Sequence, residues 1–358
     1  QTAIKDFDFE DDVKAIQKFN TKNTELKKGI SVMPICFGIS FTNTPMNHAR
    51  ALVHIYQDGS IGFSTGAVEM GQGVNTKLKQ IVVQTLGLSS DKIIVETTNT
   101  TRVANTSPSA ASATADLNGK ALQLACDSLK ERLLNVASEE LQLDKKNLTI
   151  KNASVYNQQK STYLTWESLV QMAFLKRVNL SEQAHYATPE IHFDKTKEKG
   201  HPFAYHVYGT AISTATVDCI RGTYDIDSVK IIHDFGKSMN LDIDMGQIEG
   251  ALAQGIGWMT MEEIAYDKNG RLLSNALSTY KVPDVFAMPE IVEVKALESA
   301  GHEMAILKSK AVGEPPLMYG IGTYFAIQNA IKAFNKNHSL KFDAPMTPEK
   351  VLKNLYQN

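Results

Sequence analysis

The 358-residue sequence predicts a mixed α/β fold of the α+β class, built from duplicated units of a strand hairpin and a helix. Strand, turn, strand, Gly-Gln loop and helix follow one another twice, first between residues 50 and 87 and again between residues 210 and 264. The composition supports packed domains, because 43% apolar and 21% charged residues are ordinary globular values. We therefore expect four segments: an N-terminal helix and link at 1–29, a first α/β unit at 30–154, a connecting segment at 155–205, and a second α/β unit with the C-terminal helices at 206–358.

Each element of the first unit has its own signal in the sequence. An acidic, amphipathic stretch at 9–20 predicts a surface helix. Asp58-Gly59, between two runs of alternating apolar and polar residues, predicts a hairpin. Apolar residues at helical spacing predict the next helix, which should end at Gly87. A long helix is then expected at about 110–134.

The second unit repeats this order. Two strands are predicted on either side of Arg221-Gly222, and the stretch GQIEGALAQGIGWMTMEEI predicts a helix interrupted by glycines. Asn269-Gly270 predicts a further hairpin. Other helices are expected at 165–177, 324–334 and 348–356.

Charge and cysteine content argue against several classes of function. The formal net charge of −2 gives no reason to expect nucleic acid or an anionic membrane as a partner. No apolar run approaches the ~20 residues that span a bilayer, and the acidic N-terminal stretch does not resemble a signal peptide. Cys36, Cys126 and Cys219 include no CxxC pair, so neither an iron–sulfur cluster nor a zinc site is predicted. Free thiols favour a reducing compartment, and we expect a cytoplasmic protein.

Three segments rich in small residues are candidates for contact with a ligand. Gly66, Gly71 and Gly73 surround Gln72, which would let a ligand reach the N–H groups at a helix start, although a tight turn is the simpler explanation. From 107 to 115 every residue is Ser, Pro, Ala or Thr; such a run admits a flat ligand, or forms a flexible loop or a close helix contact. In GALAQGIG three glycines lie on a helix at a cost of ~1 kcal/mol each, which indicates close packing or a ligand.

Two aromatic residues and one acid complete the candidates. Phe37 and Phe41 share a face of an alternating strand, where the simpler explanation is a place in the core. Glu314 lies between Gly313, which permits unusual dihedrals, and Pro315, which disfavours the helical region for the residue before it. A carboxylate fixed in this way suits a general base, and its apolar neighbours predict burial.

Five motifs, taken in order, resemble the molybdenum-binding portion of the xanthine dehydrogenases and aldehyde oxidases. They are AVEMGQGVNTK, RVANTSPSAASATADLNGKA, GQIEGALAQGIGW, STYKVP and SKAVGEPPL. The resemblance runs from about residue 28 to 334, and FGISFT with SKAVGEPPL favours the xanthine dehydrogenases. Nothing matches the GGFGG-type loop of the family's other half-site, and Leu241 stands where relatives often have proline. The resemblance therefore implies the C-terminal half of a molybdenum-binding subunit, as a split subunit, a cleavage product or a fragment.

The resemblance also implies a role for each matched position. Glu314 would be the catalytic base, in a loop of the second unit. Phe41 and Thr42 would bind the substrate together with Ala110 and Ala111. The cofactor-binding residues would be Met70, Gly71, Gln72, Gly73, Ala110, Ala111, Ser112, Ala113, Thr114, Gln254 and Gly313. The metal would be held by the dithiolene of the cofactor and not by side chains.

The function implied by the resemblance is oxidation of hypoxanthine- or xanthine-type purines by water-derived hydroxylation. The cofactor would be molybdenum–molybdopterin, with FAD and 2Fe-2S clusters on other domains or subunits. The partners would be the N-terminal half of the molybdenum-binding domain and the iron–sulfur and flavin parts, in an assembled enzyme that is a dimer. The alternatives are a related aldehyde or N-heterocycle hydroxylase and a non-catalytic assembly partner that lacks cofactor. Retention of Glu314, Gln72 and the small-residue run argues against the last.

Overall fold

The computed structural model describes residues 1–96, 98–158, 160–339 and 341–356, which form eight α-helices and thirteen strands. The helices are α1 (Thr2–Asp6), α2 (Phe9–Lys22), α3 (Val74–Leu86), α4 (Thr114–Leu141), α5 (Trp166–Leu175), α6 (Leu241–Thr260), α7 (Gly320–Phe334) and α8 (Pro348–Tyr356). The strands are β1 (Leu26–Ile39), β2 (His48–Ile55), β3 (Ile61–Thr65), β4 (Ile93–Val95), β5 (Leu148–Lys151), β6 (Ser154–Asn157), β7 (Lys160–Thr165), β8 (Ser181–Ala187), β9 (His192–Asp194), β10 (Lys199–His201), β11 (Tyr205–Asp218), β12 (Tyr224–His233) and β13 (Ile291–Ala296).

Two four-stranded sheets follow one plan, and this confirms the duplicated hairpin-and-helix units. In the first sheet, β2 and β3 form an antiparallel hairpin, α3 follows, and β4 then pairs parallel to β3. In the second sheet, β11 and β12 form the hairpin, α6 follows, and β13 pairs parallel to β12. The outer neighbour of each hairpin is an antiparallel strand, β8 in the first sheet and β1 in the second. The strand orders β4-β3-β2-β8 and β13-β12-β11-β1 are therefore equivalent.

The helices repeat the same correspondence. In the first unit α4 packs against β2 and β8, and α3 packs against α4. In the second unit α7 packs against β1 and β11, and α6 packs against α7. A Cβ at Gly29 in β1 would lie 2.0 Å from the Ala326 carbonyl oxygen of α7, so this helix lies directly on the strand backbone. The close approach explains why a glycine stands in the interior of a strand.

Some strands connect the segments that we expect from the sequence. β1 lies within the segment 30–154 for most of its length and pairs with β11 of the second unit. β8 lies in the expected connecting segment 155–205 and pairs with β2 of the first unit. Hydrogen-bonded strand pairs thus cross the expected segment boundaries. The division into four segments stays a prediction from the sequence.

Most helices and turns lie where the sequence predicts them. α3 ends before Gly87, which adopts the left-handed conformation (φ 69°) expected of a C-cap glycine. Asn269-Gly270 forms a turn, but it is closed by the isolated bridge between Tyr266 and Leu272 and not by two strands. Over the described residues, none of the helices combines the length and the apolar character that a bilayer-spanning segment requires.

Candidate cofactor and active site

Four segments that are distant in the sequence meet around one cavity of about 480 Å³, the main cavity. They are the Gly-Gln loop (residues 66–73) before α3, the small-residue run (residues 107–115) before α4, one face of α6, and the Glu314 loop (residues 306–314). The lining residues are Met70, Gly71, Gln72, Ser109, Ala110, Ser112, Thr114, Gln247, Gly250, Ala251, Gln254, Gly313 and Glu314. The duplicated topology produces this meeting, because the Gly-Gln loop and α6 both follow the hairpin of their own unit.

The Gly-Gln loop is fixed by a carboxylate of its own. Glu69 Oε1 accepts hydrogen bonds from the N–H groups of Gly71 (3.0 Å) and Gly73 (2.9 Å), and Oε2 accepts one from Asn75 N–H (3.0 Å). Burial raises the pKa of the Glu69 carboxyl, but these hydrogen bonds outweigh burial and hold the pKa below its ordinary value. Glu69 thus occupies the N–H groups of Gly73 and Asn75 at the start of α3, where the sequence suggests a ligand contact.

The Gln72 side chain is also held within its loop. Its Oε1 accepts a hydrogen bond from Met70 N–H (2.6 Å), and its Nε2 donates one to the Val68 carbonyl oxygen (2.8 Å). Gly71 has φ 101°, a conformation that favours glycine, and a Cβ there would meet nothing within 4 Å. The loop therefore presents a rigid amide next to open space in the main cavity.

The small-residue run is a fixed wall and not a flexible loop. Ser109 Oγ accepts a hydrogen bond from Val68 N–H (2.8 Å), and a Cβ at Gly66 would lie 2.0 Å from Thr106 Oγ1, so the two loops are in direct contact. Ala111 and Ser112 have φ 54° and 52°, which costs residues other than glycine of the order of 1–3 kcal/mol each. Such strain concentrates at binding and active sites.

The glycines of α6 separate into two roles. A Cβ at Gly255 would lie 2.2 Å from the Leu317 carbonyl oxygen, and one at Gly257 would lie 2.6 Å from Pro283 Cδ, so both positions serve close packing. Gly250 faces the main cavity, and a Cβ there would meet nothing within 4 Å. Close packing therefore explains Gly255 and Gly257, whereas Gly250 leaves space in the main cavity and a ligand contact there stays a prediction.

Glu314 lies at the rim of the main cavity, where its side chain is exposed. Its N–H donates a hydrogen bond to Ser112 Oγ (2.8 Å), which ties it to the small-residue run. Two expectations are wrong. The backbone is helical (φ −96°, ψ −40°), because Glu314 caps a short 3-10 helix (Pro315–Tyr319), and Pro315 does not prevent this. The predicted burial applies to Val312 and Pro315 but not to the acid between them.

Several residues that the resemblance assigns to the site lie outside the main cavity. Phe37 and Phe41 are partly buried against the apolar cluster that contains Ile39, in line with the core explanation. The expectation that both lie on one strand is wrong, because β1 ends at Ile39, and Thr42 is exposed. Ala113 is buried in the same cluster. Gly73 packs against α6, and Ala111 turns the chain into α4. The lining of the main cavity includes none of these five proposed site residues: Phe41, Thr42, Gly73, Ala111 and Ala113.

Buried charged residues behind the main cavity escaped the sequence interpretation. An inner cavity of about 90 Å³ shares Gln72 and Ser112 with the main cavity and is lined further by Lys77, Asp116 and Lys310. Lys77 forms a buried ion pair with Asp244, which links α3 to α6. The sequence does carry a sign of the buried Lys77, because this charged residue interrupts the apolar stripe of α3.

A second buried ion pair fixes the Glu314 loop to the second sheet. Lys310 pairs with Asp234, just beyond β12, and its Nζ donates a hydrogen bond to the His206 carbonyl oxygen (3.0 Å). Such pairs contribute little net stability, but breaking one leaves an uncompensated charge. The loop that carries Glu314 is thus held in one position.

The main cavity fits an organic cofactor that is bound through amide and hydroxyl groups. Gly71 and Gly250 leave space, Gln254 offers an exposed amide, and Ser109 and Thr114 offer hydroxyls. Across residues 1–96, 98–158, 160–339 and 341–356, no group of three or more His, Cys, Asp or Glu side chains is placed to bind a metal ion. The fold and site thus define a class of domain in which a cavity suited to an organic ligand lies between two related α/β units.

The comparisons with known proteins identify the family. The model of the molybdopterin cofactor-binding domain matches residues 2–289, and the chain belongs to this family. It is 40% identical to the xanthine dehydrogenase/oxidase of Mus musculus over 343 residues, which cover 94% of this chain and 24% of that protein. The xanthine dehydrogenase of Dictyostelium discoideum is 37% identical, again over 94% of this chain and 24% of that protein. The chain spans about a quarter of the length of the curated relatives it matches.

Solved structures share the fold at low sequence identity. Quinoline 2-oxidoreductase from Pseudomonas putida 86 superposes with a TM-score of 0.85 at 19% identity, covering 99% of this chain and 45% of that chain. The CO dehydrogenase of Oligotropha carboxidovorans gives a TM-score of 0.83 at 20% identity, covering 97% and 43%. These structures therefore share the α+β fold of this chain.

Proposed function

We propose that the chain forms one half of the cofactor and substrate site of a molybdenum hydroxylase that oxidises hypoxanthine- or xanthine-type purines, with Glu314 as the general base. The observation that carries the proposal is the convergence of Glu314, Gln72, Gln254 and the small-residue run on one cavity. Identity of 40% with a xanthine dehydrogenase/oxidase over 94% of the chain supports the substrate class.

The bound molybdenum–molybdopterin cofactor supplies the two-electron redox chemistry, and the residues of this chain supply placement and proton transfer. Ser109 and Thr114 of the small-residue run would present hydroxyl groups to the cofactor, and Gln254 of α6 would present its amide. Gln72, held in its own loop, shapes the wall beside them. The Glu314 carboxylate accepts a proton during hydroxylation, and its backbone position is set by Ser112.

We propose further that the N-terminal half of the molybdenum-binding domain covers the open side of this site. Glu314 and Gln254 are exposed, whereas a base and a cofactor contact are expected in a closed site. A groove of about 630 Å³ shares Gln254 with the main cavity, and Trp258 in its wall is 49% exposed. Phe286 nearby in the sequence is 93% exposed. Exposed apolar surface of this kind favours a protein partner. FAD, the 2Fe-2S clusters and the dimer contacts belong in this proposal to other parts of the assembled enzyme.

The test is Glu314→Gln in the full-length protein, by which we mean the assembled enzyme that contains this chain and the proposed N-terminal half. We expect xanthine oxidation to fall at least ~100-fold, because a neutral amide cannot accept the proton, while the molybdenum content measured by elemental analysis stays near that of the wild type. Glu290→Gln, an exposed glutamate that lines neither cavity, is the matched control and should leave the rate unchanged.

The same assay separates the alternatives. Substantial xanthine oxidation by the Glu314→Gln variant would remove the assignment of the base. A wild-type protein that oxidises aldehydes or other N-heterocycles with a higher kcat/KM than xanthine would replace the substrate class; the position of Phe41 and Thr42 outside the cavity lining favours this as the second candidate. Absence of bound molybdenum from the full-length protein would support a non-catalytic partner.

A further inference from the structure

We infer that Asp116 and Tyr205 are positioning residues for Glu314: together they hold the Glu314 loop so that its acid faces the main cavity. The inference rests on the proposed function, because it gives Glu314 the role of base. Neither residue lines the main cavity, so neither is proposed to contact substrate. Their contacts are with the loop that carries the acid.

A chain of hydrogen bonds connects α4 to this loop. Asp116, in the first turn of α4, accepts a hydrogen bond from Ile306 N–H through Oδ1 (2.8 Å) and one from the Tyr205 hydroxyl through Oδ2 (2.5 Å). The Tyr205 hydroxyl in turn accepts a hydrogen bond from Ala311 N–H (3.2 Å). One carboxylate therefore holds the loop at its first residue and, through Tyr205, three residues before Glu314.

The third connection is made by Glu314 itself, whose N–H donates to Ser112 Oγ in the segment just before α4. Ser112 lies two residues before α4 and Asp116 lies in its first turn, so residues 306 and 314 are both held at the start of α4. Residue 311 is held by Tyr205 of β11. Gly313 lies between the bonds at Ala311 and Glu314, and a Cβ there would come within 3.3 Å of Ser112 Oγ. Without the bond at Ala311, Gly313 would give the end of the loop wide conformational freedom.

Burial makes these bonds specific. Asp116 is 8% exposed and Tyr205 is 4% exposed, so neither can exchange its partner for water at no cost. The Tyr205 ring also stacks on His302, with 5.6 Å between ring centroids, which restricts the direction of its hydroxyl. The opposite side of the loop is held by the Lys310–Asp234 ion pair. The hydroxyl oxygen of Tyr205 therefore holds the loop at Ala311, next to Lys310, whose side chain is fixed by its ion pair with Asp234.

The decisive variant is Tyr205→Phe in the full-length protein, because it deletes only that oxygen. We expect kcat per bound molybdenum to fall about 10- to 100-fold, as displacement of a reacting group by about 1 Å does, with KM changed less than about twofold. Hydrogen–deuterium exchange of peptides within residues 306–314 should become at least about tenfold faster, and this readout does not depend on turnover.

Tyr324→Phe is the matched control. Tyr324 is also buried, and its hydroxyl also accepts a backbone hydrogen bond, from Asp343 N–H (2.9 Å), but it belongs to the C-terminal apolar cluster and lines neither cavity. This variant should leave kcat and the exchange of residues 306–314 unchanged. Should Tyr205→Phe fail to yield folded protein, Asp116→Asn, which keeps an acceptor for Ile306 N–H, should show the same loss of kcat and the same faster exchange.

The outcomes distinguish this inference from the proposed function. If Glu314→Gln abolishes turnover while Tyr205→Phe keeps kcat per molybdenum within twofold of the wild type, only the positioning role is overturned. A loss of activity in Tyr205→Phe that merely follows a loss of molybdenum would also overturn it. If Glu314→Gln keeps full activity, the base assignment fails and the positioning role fails with it.

Discussion

At the residue scale, Asp116 is the clearest case of burial setting the chemistry of a side chain. Burial raises its pKa from 3.8 to about 6, although the hydrogen bonds from Tyr205 and Ile306 and the charges of Lys120 and Lys77 oppose the rise. Because the folded state binds this proton more tightly than the unfolded state, the group stabilises the fold fully below pH 3.8. That contribution is lost as the pH rises to about 6.

The raised pKa of Asp116 makes the stability of the protein depend on pH. The free energy of unfolding of the wild type, minus that of Asp116→Asn, should fall by about 2 kcal/mol between pH 4 and pH 7, since asparagine does not titrate. Denaturant unfolding of both proteins at several pH values measures it. Other groups cancel in the difference, including His233, whose pKa burial lowers to about 4 and which acts with the opposite sign. A difference independent of pH would contradict the buried, ionising Asp116.

The limits of the sequence are also clearest at this scale. Gly313 and Pro315 drew attention to Glu314, because local backbone rules act between neighbours. The partners that hold its loop could not be found in this way, since Asp116 meets Tyr205 across 89 residues and Ile306 across 190. A buried acid next to a small-residue run carries no local sign of its partners.

At the scale of the element, α6 shows how one helix serves packing and the cavity together. Gly255 meets the short 3-10 helix (Pro315–Tyr319) and Gly320 at backbone contact, with 2.2 Å between its would-be Cβ and the Leu317 carbonyl oxygen. Gly250, five residues earlier, faces open space. This packing contact matters for the site because the short 3-10 helix begins directly after Glu314. The contact with α6 therefore fixes the backbone next to the acid.

The two glycines give a prediction with its control on the same helix. Gly255→Ala should destabilise the protein by about 1–3 kcal/mol, since overpacking against backbone cannot be relieved by a side-chain movement. Gly250→Ala should be neutral or stabilise it by up to ~1 kcal/mol, because alanine favours the helix and nothing obstructs it. Thermal or denaturant unfolding of both variants decides the matter. Equal effects of the two substitutions would contradict the packing geometry described here.

The spacing of apolar residues predicts a helix or strand well where the same spacing continues along the whole element. α3 and its C-cap glycine and the strands on either side of Arg221-Gly222 are examples. α4 begins four residues later than expected and continues to Leu141, because Ala111 and Ser112 adopt the left-handed conformation and delay the helix. Propensity alone favours helix for the alanines of that run, and the tertiary contacts with the Gly-Gln loop override it.

At the scale of the whole molecule, the duplication explains why the site forms where it does. In each unit the segment after the hairpin lies at the site: the Gly-Gln loop and α3 in the first unit, and α6 in the second. The Lys77–Asp244 ion pair joins α3 to α6. The repeated order was visible in the sequence. Its packing was not, because the pairing of β1 with β11 and of β8 with β2 depends on contacts between distant segments.

The open side of the cavity leads to the last prediction. Binding sites for organic cofactors usually bury 70–90% or more of the ligand, whereas here Met70, Gln254 and Glu314 stand exposed around the opening. The 358-residue chain purified alone should therefore carry well under one molybdenum per chain, and the full-length protein, purified in the same way, should carry close to one. Elemental analysis of both samples measures this. Stoichiometric molybdenum on the chain alone would show that its own four segments suffice to hold the cofactor, and the proposed covering half would then be needed for substrate and not for cofactor.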